Sequence, residues 1–402
     1  MTAYGQKDTN QSELISKLLG KLSPKNQANI QKIHHYFEIH FIQIDRNNQG
    51  IPKFTAHHYN GGERTYFNPA SLVKLPLVLM TLEKLESLGI DKFTRYQTRN
   101  QTNCVNQLEP QKNSLEGFYN MANDIRKILL VSDNTSYNVL FDFLGQAEIT
   151  RKLQDKNYSS TRIIRRFLNC SVEENAYSNP FWFYNSANKL VYEQKESKNS
   201  EPILLAQEDV FVGKGYKEGN KIVNKPKNFR LANYHSLEDA TTMLKSLIFP
   251  ESVAPERRWQ ISRENREFVL RYMTLLPRQS GYADYRNPKK FDDTYKKLLI
   301  YGNQRQIADE LYNQVKSINM IGFTFGFISD VAYIVDFENG VDFFLTIGMY
   351  ANTDNLIDGS YNYHDIARPF FAEFGRIVLD HEKNRIEKKV NNFSGLQKIV
   401  GT

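Results

Sequence analysis

The segment from Leu72 to Leu88 constrains the fold most, because it is apolar on nearly all of its faces. This pattern predicts a helix that is buried on every side rather than one that lies on a surface. Gly89 follows the segment and is a typical C-terminal stop. Lys74 lies inside this apolar helix, and a buried lysine needs either a partner or a chemical reason for its burial.

Ser71 directly precedes this helix and forms a Ser-x-x-Lys motif with Lys74. The backbone N–H groups and the positive dipole end at a helix start can stabilise a developing oxyanion. Lys74 is expected on the same helix face as the Ser71 hydroxyl. Because burial disfavours a protonated amine, a neutral Lys74 could take the proton of Ser71. The alternative is a capping serine followed by an unrelated lysine.

A second motif, Ser-Asp-Asn at Ser132–Asn134, begins 61 residues after Ser71. Apolar periodicity predicts one helix over 114–130 and another over 135–144, so the triplet lies in the joint between them. All three residue types are preferred helix caps, and a purely structural role is therefore the alternative.

The two motifs, in this order and at a spacing of roughly sixty residues, resemble those of class A serine β-lactamases and related penicillin-binding enzymes. The resemblance implies an acyl-enzyme on Ser71, with Lys74 as the general base. Ser132 would relay a proton to the departing nitrogen. Asn134 would bind the side-chain amide of the substrate, and Asp133 would hold the loop.

The third motif of this family is Lys-Thr-Gly on the strand beside the site, and it corresponds to Met-Ile-Gly at Met320–Gly322. The alignment is set by Ser329–Ile334, which resembles the strand that follows this motif in the family. Methionine thus replaces the lysine that binds the substrate carboxylate. We expect Met320, Gly322 and Phe323 to contact substrate. The backbone N–H groups of Ser71 and Phe323 would be the oxyanion donors.

Deacylation in the family uses a glutamate on a loop after the second motif. Glu173 and Glu174 lie at roughly the expected distance along the chain, so one of them could activate the deacylating water. Two adjacent glutamates are also typical of a solvated loop. Without such a base, acylation would be followed by slow deacylation, as in penicillin-binding proteins.

Strands are predicted near both ends of the chain. Alternating patterns favour strands over 37–41, with a bulge at Ile42, and over 54–59. Three more strands are expected over 320–327, 331–337 and 341–350, with a hairpin turn at 338–340, and a last helix over 363–383.

These elements predict an α/β (α+β) fold in which an antiparallel sheet built from both termini, flanked by helices, lies beside a helical lobe. The resembling family has this architecture. We expect residues 1–70 and 315–385 to form the α/β lobe, and 71–314 a mainly helical lobe. An insertion around 179–230 and a polar tail over 386–402 complete the predicted organisation.

The 402-residue chain has 40% hydrophobic residues and a net charge of +7. No apolar run reaches membrane-spanning length, and no nucleic-acid-binding motif accompanies the scattered basic residues. The adjacent histidine pairs do not form a metal-binding pattern. We expect a small-molecule substrate, either a β-lactam or a cell-wall peptide. We expect no cofactor, metal, nucleic acid or membrane span, and the oligomeric state stays open.

The resembling enzymes are exported, so we expect a periplasmic or otherwise exported protein whose signal peptide is not present in this chain. Residues 3–5 (Ala-Tyr-Gly) have the small-x-small form of a signal-peptidase site. Cys104 and Cys170 lie on either side of the second motif, and the sequence is compatible with a disulfide or with two free thiols.

Three functions are compatible with these observations. The leading hypothesis is a β-lactamase-like serine hydrolase that cleaves a lactam, amide or ester, with antibiotic resistance as its consequence if lactams are turned over. A D-alanyl-D-alanine peptidase, penicillin-binding protein or esterase is the second. A degenerate homologue that binds cell-wall fragments is the third, and Met320 favours it, whereas the intact Ser71, Lys74, Ser132 and Asn134 argue against it.

Overall fold

The computed structural model describes residues 11–33, 35–61, 66–100, 104, 106–108, 110–201, 210–302, 304–385 and 393–401. The α-helices are α1 (Glu13–Leu19), α2 (Pro24–Ile30), α3 (Lys74–Ser87), α4 (Met121–Val131), α5 (Asn134–Leu144), α6 (Gln146–Asp155), α7 (Val172–Ala176), α8 (Leu237–Ile248), α9 (Arg263–Thr274), α10 (Asp309–Gln314), α11 (Arg368–Lys383) and α12 (Ser394–Val400). The strands are β1 (Phe37–Arg46), β2 (Pro52–Asn60), β3 (Arg95–Thr98), β4 (Thr161–Arg162), β5 (Tyr177–Ser178), β6 (Phe181–Tyr184), β7 (Leu190–Gln194), β8 (Ser197–Lys198), β9 (Phe211–Val212), β10 (Gly215–Glu218), β11 (Lys221–Val223), β12 (Lys227–Asn228), β13 (Tyr234–His235), β14 (Val315–Thr324), β15 (Phe327–Asp336), β16 (Val341–Tyr350) and β17 (Leu356–Ile357).

A five-stranded antiparallel sheet has the order β14-β15-β16-β1-β2, so strands from both ends of the chain meet where β16 pairs with β1. This arrangement confirms the predicted mixed α/β fold with a sheet built from both termini. The predicted bulge at Ile42 is wrong, because β1 pairs with β2 in one unbroken register. The apolar residues change sides at Ile42 because both faces of β1 are covered, and Phe41 and Ile44 pack into different cores.

The central sheet separates two hydrophobic cores. On one face, α1 and α11 cover the sheet, and Ile15, Phe41 and Phe370 pack together. On the other face, α8 and α9 lie against β14–β16, and this core continues into the helical part of the chain. The sheet therefore provides a rigid wall against which the helical part is fixed.

Helix α3 occupies the middle of the helical part, as its apolar pattern predicts, and it packs against α4, α5 and α6. The helix predicted over 114–130 begins only at Met121. Asn120 ends the preceding loop, because its side chain accepts the N–H of Asn123 and caps α4. Gly117 has a φ of +76°, which an α-helix does not accommodate.

The predicted insertion at 179–230 contains short strands, in which β6 pairs with both β3 and β7, and β10 pairs with β11 and β17. Part of it, 202–209, lies outside the described residues. Residues 386–392 of the predicted tail also lie outside them, whereas α12 packs against α9 and buries Val400. The division into lobes at residues 70 and 315 stays a prediction. Within the described ranges, every helix is too short or too polar to cross a membrane.

Candidate active site

Ser71 lies on a 3₁₀ turn, Ala70–Val73, that leads directly into α3. Ala70 has a left-handed φ of +46°, which is uncommon for a residue with a side chain. Its N–H donates to Asn68 Oδ1 at 2.9 Å, which helps to hold this turn. The sequence predicted Ser71 at the helix start; the structure places it on a strained turn just before the regular helix, where its side chain is partly exposed.

The amino group of Lys74 connects the first motif to the second. Lys74 is fully buried, and its Nζ donates to Asn134 Oδ1 at 2.7 Å and to Ser132 Oγ at 3.1 Å. It also donates to the Ser132 carbonyl and lies 5.0 Å from the centre of the Phe167 ring. The structure thus brings together side chains that are 58 and 60 positions apart in the chain.

Burial lowers the pKa of Lys74 to about 7. Desolvation is the largest cause, because a charged amine is poorly stabilised away from water. Asp133 raises this pKa and Lys296 lowers it. Near neutral pH a substantial fraction of Lys74 therefore carries no proton, as a general base requires.

The second motif turns the chain sharply between two helices. Ser132 has a left-handed backbone (φ 59°, ψ 43°) and ends α4. Asp133 caps α5 by accepting the N–H of Ser136 at 2.7 Å. The turn carries the Ser132 hydroxyl and the Asn134 amide to the same amine of Lys74. The Ser-Asp-Asn triplet therefore both forms the helix caps and positions polar groups at Lys74.

Strand β14 runs directly against the turn that carries Ser71. A Cβ atom added at Gly322 would overlap the carbonyl oxygen of Pro69, so this position accommodates only glycine without a shift of the backbone. The next residue, Phe323, is 41% exposed at the edge of the sheet. The close approach brings the end of β14 beside Ser71.

A cavity of about 400 Å³ opens over Ser71. Of the predicted site residues, Ser71, Asn134 and Phe323 line this cavity. Lys74 Nζ hydrogen-bonds to Asn134 Oδ1 at the cavity and also to Ser132 Oγ. Its described lining residues are Asn68, Ala70, Ser71, Asn134, Arg165, Arg166, Phe167, Leu168, Asn169, Ala232, Asn233, Phe323, Thr324 and Phe325.

Met320 and Gly322 are not among the described residues that line this cavity, and their contact with substrate stays a prediction. Met320 is 2% exposed and lines a separate, small apolar cavity with Leu72 and Leu75. Its position in the β14 register directs its side chain into the core, where a thioether packs favourably. Gly322 contributes to the site because it lacks a Cβ atom, which allows β14 to approach the turn that carries Ser71.

Glu173 and Glu174 are also not among the described lining residues, and their role as deacylation bases stays a prediction. The Glu173 side chain is 71% exposed and pairs with Lys198 at 2.8 Å. Glu174 accepts the N–H of Ser171 in a capping box at the start of α7. Glu173 on α7 thus forms a surface ion pair, and Glu174 caps the start of this helix.

The segment Arg165–Asn169 forms one wall of the cavity, and no motif in the sequence indicates it. Arg166 fixes this segment by binding the buried Asp142 of α5, with Nε 3.2 Å from Oδ1. The Phe167 N–H donates to Asn138 Oδ1 at 2.8 Å. Cys104 and Cys170 form a disulfide with a Cα–Cα distance of 5.4 Å, which resolves the open alternative and ties down the end of this wall.

Among the residues that the structure describes, no group of three His, Cys, Asp or Glu side chains is arranged to hold a metal ion. The polar groups at the cavity are instead a hydroxyl, an amine, amides and guanidinium groups. This set suits the capture of a carbonyl by a serine nucleophile.

The fold and the site define a β-lactamase-like protein. The model of the beta-lactamase enzyme family matches residues 55–381, and the chain belongs to this family. This match confirms the resemblance predicted from the sequence and supports a hydrolase at the level of the family.

Several solved β-lactamases are similar in structure at low sequence identity. The chromosome-encoded enzyme of Vibrio parahaemolyticus is 14% identical, with 90% of this chain and 100% of that chain covered and a TM-score of 0.45. The class A enzyme of Mycobacterium abscessus is 14% identical (89% and 98% covered, TM-score 0.45). The enzyme from Streptomyces albus G is 12% identical (89% and 99% covered, TM-score 0.47). No curated protein sequence matches the chain.

Proposed function

We propose that the protein is a serine hydrolase that forms an acyl-enzyme on Ser71. One observation carries this proposal: the buried amine of Lys74 hydrogen-bonds to both Ser132 Oγ and Asn134 Oδ1 behind the cavity that Ser71 lines. Burying a lysine in an apolar helix is costly, because its charge loses its hydration. A role as base would account for this cost.

In the proposed reaction, neutral Lys74 takes the proton of Ser71, and Ser71 Oγ forms a bond to the substrate carbonyl carbon. The backbone N–H groups of Ser71 and Phe323 stabilise the negative oxygen. The bond to the leaving nitrogen breaks as Ser132 gives that nitrogen its proton, and Lys74 returns a proton to Ser132. Asn134 holds the substrate amide.

We further propose that Arg165 binds an anionic group of the substrate. Met320 removes the cation that the family's third motif supplies. The described cations at the cavity are Arg165 and Arg166, and Arg166 is engaged by the buried Asp142. Arg165 donates to two neutral acceptors, the carbonyl oxygens of Arg166 and Leu168, so we propose its charge for the carboxylate.

We also propose that deacylation is slow. Slow deacylation favours a penicillin-binding enzyme, D-alanyl peptidase or esterase over a rapid β-lactamase. The described residues that line the cavity include no carboxylate to activate a water molecule. An acyl-enzyme would then accumulate. The Cys104–Cys170 disulfide supports an oxidising, exported location such as the periplasm.

The test is incubation with a penicillin and with a chromogenic cephalosporin, followed by intact-mass measurement, with Ser71→Ala as the control. We expect a stoichiometric adduct that persists for many minutes and is lost in Ser71→Ala. Rapid turnover without accumulation would contradict slow deacylation and support a β-lactamase. No adduct from lactams, from a D-alanyl peptide thioester or from a reactive ester would overturn the proposal and favour a binding homologue.

A further inference from the structure

Two adjacent lysines, Lys296 and Lys297, are buried in the segment that precedes β14, with exposures of 3% and 2%. Lys297 Nζ donates to three oxygens: Met273 O at 2.6 Å, and Ser317 O and Asn319 Oδ1 at 2.7 Å each. These three hydrogen bonds join the segment to α9 and β14. Lys297 therefore has a complete structural explanation.

Lys296 makes different contacts, with the end of α4 and with strand β14. Its Nζ donates to the carbonyl oxygen of Leu129 and lies 3.8 Å from Met320 Sδ. Met320 occupies the position where the family's third motif has lysine. The amine of Lys296 thus approaches the place of the missing cation from the preceding segment instead of from the strand.

Lys74 and Lys296 bind the same helix end. Lys296 donates to Leu129 O in the last turn of α4, and Lys74 donates to Ser132 O three residues later. The C-terminal carbonyls of a helix lack intrahelical partners and carry its negative dipole end, so they attract amines. Two buried amines on one turn repel each other when both are protonated.

The surrounding charges distinguish the two amines. Asp330, which accepts the backbone N–H groups of Leu298 and Leu299, raises the pKa of Lys296. Asp133 favours the protonated form of Lys74. Burial lowers the pKa of Lys296 to about 7, and its charge in turn lowers the pKa of Lys74.

We propose that Lys296 supplies, from the segment before β14, the positive charge that Met320 does not, and that this charge keeps Lys74 neutral for its role as base. Lys296 is a positioning residue in this sense, because it acts through Lys74 and does not line the cavity. The inference depends on the proposed function only in the identification of Lys74 as the base of Ser71.

The first test measures the rate at which a fluorophosphonate labels Ser71 between about pH 6 and pH 9.5, a range that extends on both sides of the lowered pKa of Lys74. Replacing Lys296 with methionine removes a neighbouring positive charge, so Lys74 holds its proton to higher pH. We expect the midpoint of labelling in Lys296→Met to rise by about one pH unit, which is a roughly tenfold loss near pH 7 with an unchanged rate at high pH.

Three further variants separate charge from packing. Lys296→Arg keeps the charge and should keep the wild-type midpoint. Lys297→Met, the matched buried neighbour, should leave the midpoint unchanged or lower it. Adding Met320→Lys to Lys296→Met returns a cation to the strand and should restore labelling near pH 7. An equal loss at all pH values in Lys296→Met, or no rescue by Met320→Lys, would overturn the inference.

A second readout does not need activity. The uptake of protons on unfolding is obtained from urea unfolding between about pH 7.5 and pH 9.5. At about pH 7.5, the substitution Lys74→Met should reduce this uptake more in the wild-type background than in the Lys296→Met background, where Lys74 holds its proton in the folded state to about one pH unit higher. Equal reductions overturn the inference, whereas absent labelling of a folded wild type refutes only the proposed function.

Discussion

At the scale of single residues, the site depends on a lysine that is buried without a carboxylate bonded to it. Lys74 gains hydrogen bonds from a hydroxyl, an amide oxygen and a backbone carbonyl, all of them neutral acceptors. Neutral acceptors do not compensate the loss of hydration as an ion pair would, so the proton is weakly held. This environment makes the amine of Lys74 suitable as a base.

Substitution of Lys74 by arginine tests this directly. Arginine stays protonated at all accessible pH values, so acylation of Ser71 should fall by at least about a hundredfold in Lys74→Arg and lose its rise near pH 7. In the wild type, the rate should rise as the pH passes about 7, because the neutral amine then predominates. Labelling by a fluorescent penicillin across pH measures both.

The matched control is Lys84→Arg on the same helix. Lys84 pairs with Glu148 at 2.9 Å and lies three turns of α3 away from Ser71. Its replacement should leave labelling unchanged. A Lys74→Arg protein that labels at the wild-type rate would exclude Lys74 as the base.

Arg165 is the second prediction at this scale. If its guanidinium binds a substrate carboxylate, Arg165→Gln should raise KM about tenfold or more for a carboxylated substrate, because a charged hydrogen bond contributes roughly 1.5–3 kcal/mol. The same variant should treat the methyl ester of that substrate as the wild type does. The exposed Arg151, paired with Asp155 on α6, provides the control substitution. An equal effect on acid and ester would remove Arg165 from substrate recognition.

At the scale of elements, the site exists because strand β14 and the Ser71 turn touch without a side chain between them. Gly322 allows this approach, as an added Cβ would overlap the Pro69 carbonyl. The strand also cannot move away freely, since it pairs with β15 over its whole length. The end of β14 is thereby fixed beside Ser71.

Gly322→Ala should therefore separate the strand from the turn. We expect labelling of Ser71 to fall by about a hundredfold, in line with the loss of an oxyanion donor, while the far-ultraviolet circular dichroism stays native. Gly395→Ala, on α12 with nothing within 4 Å of the added Cβ, is the control and should label normally. Normal labelling of Gly322→Ala would show that the close approach is not needed.

At the scale of the whole molecule, the helical part and strand β14 carry several buried lysines whose charge is costly to desolvate. Burial lowers the pKa of Lys74 and Lys296 to about 7 and that of Lys316 to about 8, and Lys297 lies well below the ordinary value. In the unfolded chain these amines titrate near 10.4. The unfolded state therefore binds more protons than the folded state between these values.

Stability should consequently rise with pH in the window from about 8 to about 9.5, by up to about 1.4 kcal/mol per pH unit for each such lysine. Urea unfolding at both pH values measures this slope. Above pH 10 the slope should reverse, because buried tyrosines such as Tyr333 keep their protons in the folded state. Lys21→Met at an exposed position serves as control, and a flat or falling stability in the window would contradict the prediction.

The sequence by itself determined the features that depend on near neighbours: the buried helix after Ser71, the caps at Ser132–Asn134 and the alternation of the strands. These follow from periodicity and capping within a few residues. Only the tertiary structure decided that Lys296 meets Leu129 across 167 positions and that Arg165 and Ser71 line the same cavity. It also decided that Cys104 bonds to Cys170 and that Glu173 lies outside the cavity. Contacts of this kind depend on how distant segments pack, and no local pattern of residue types encodes that packing.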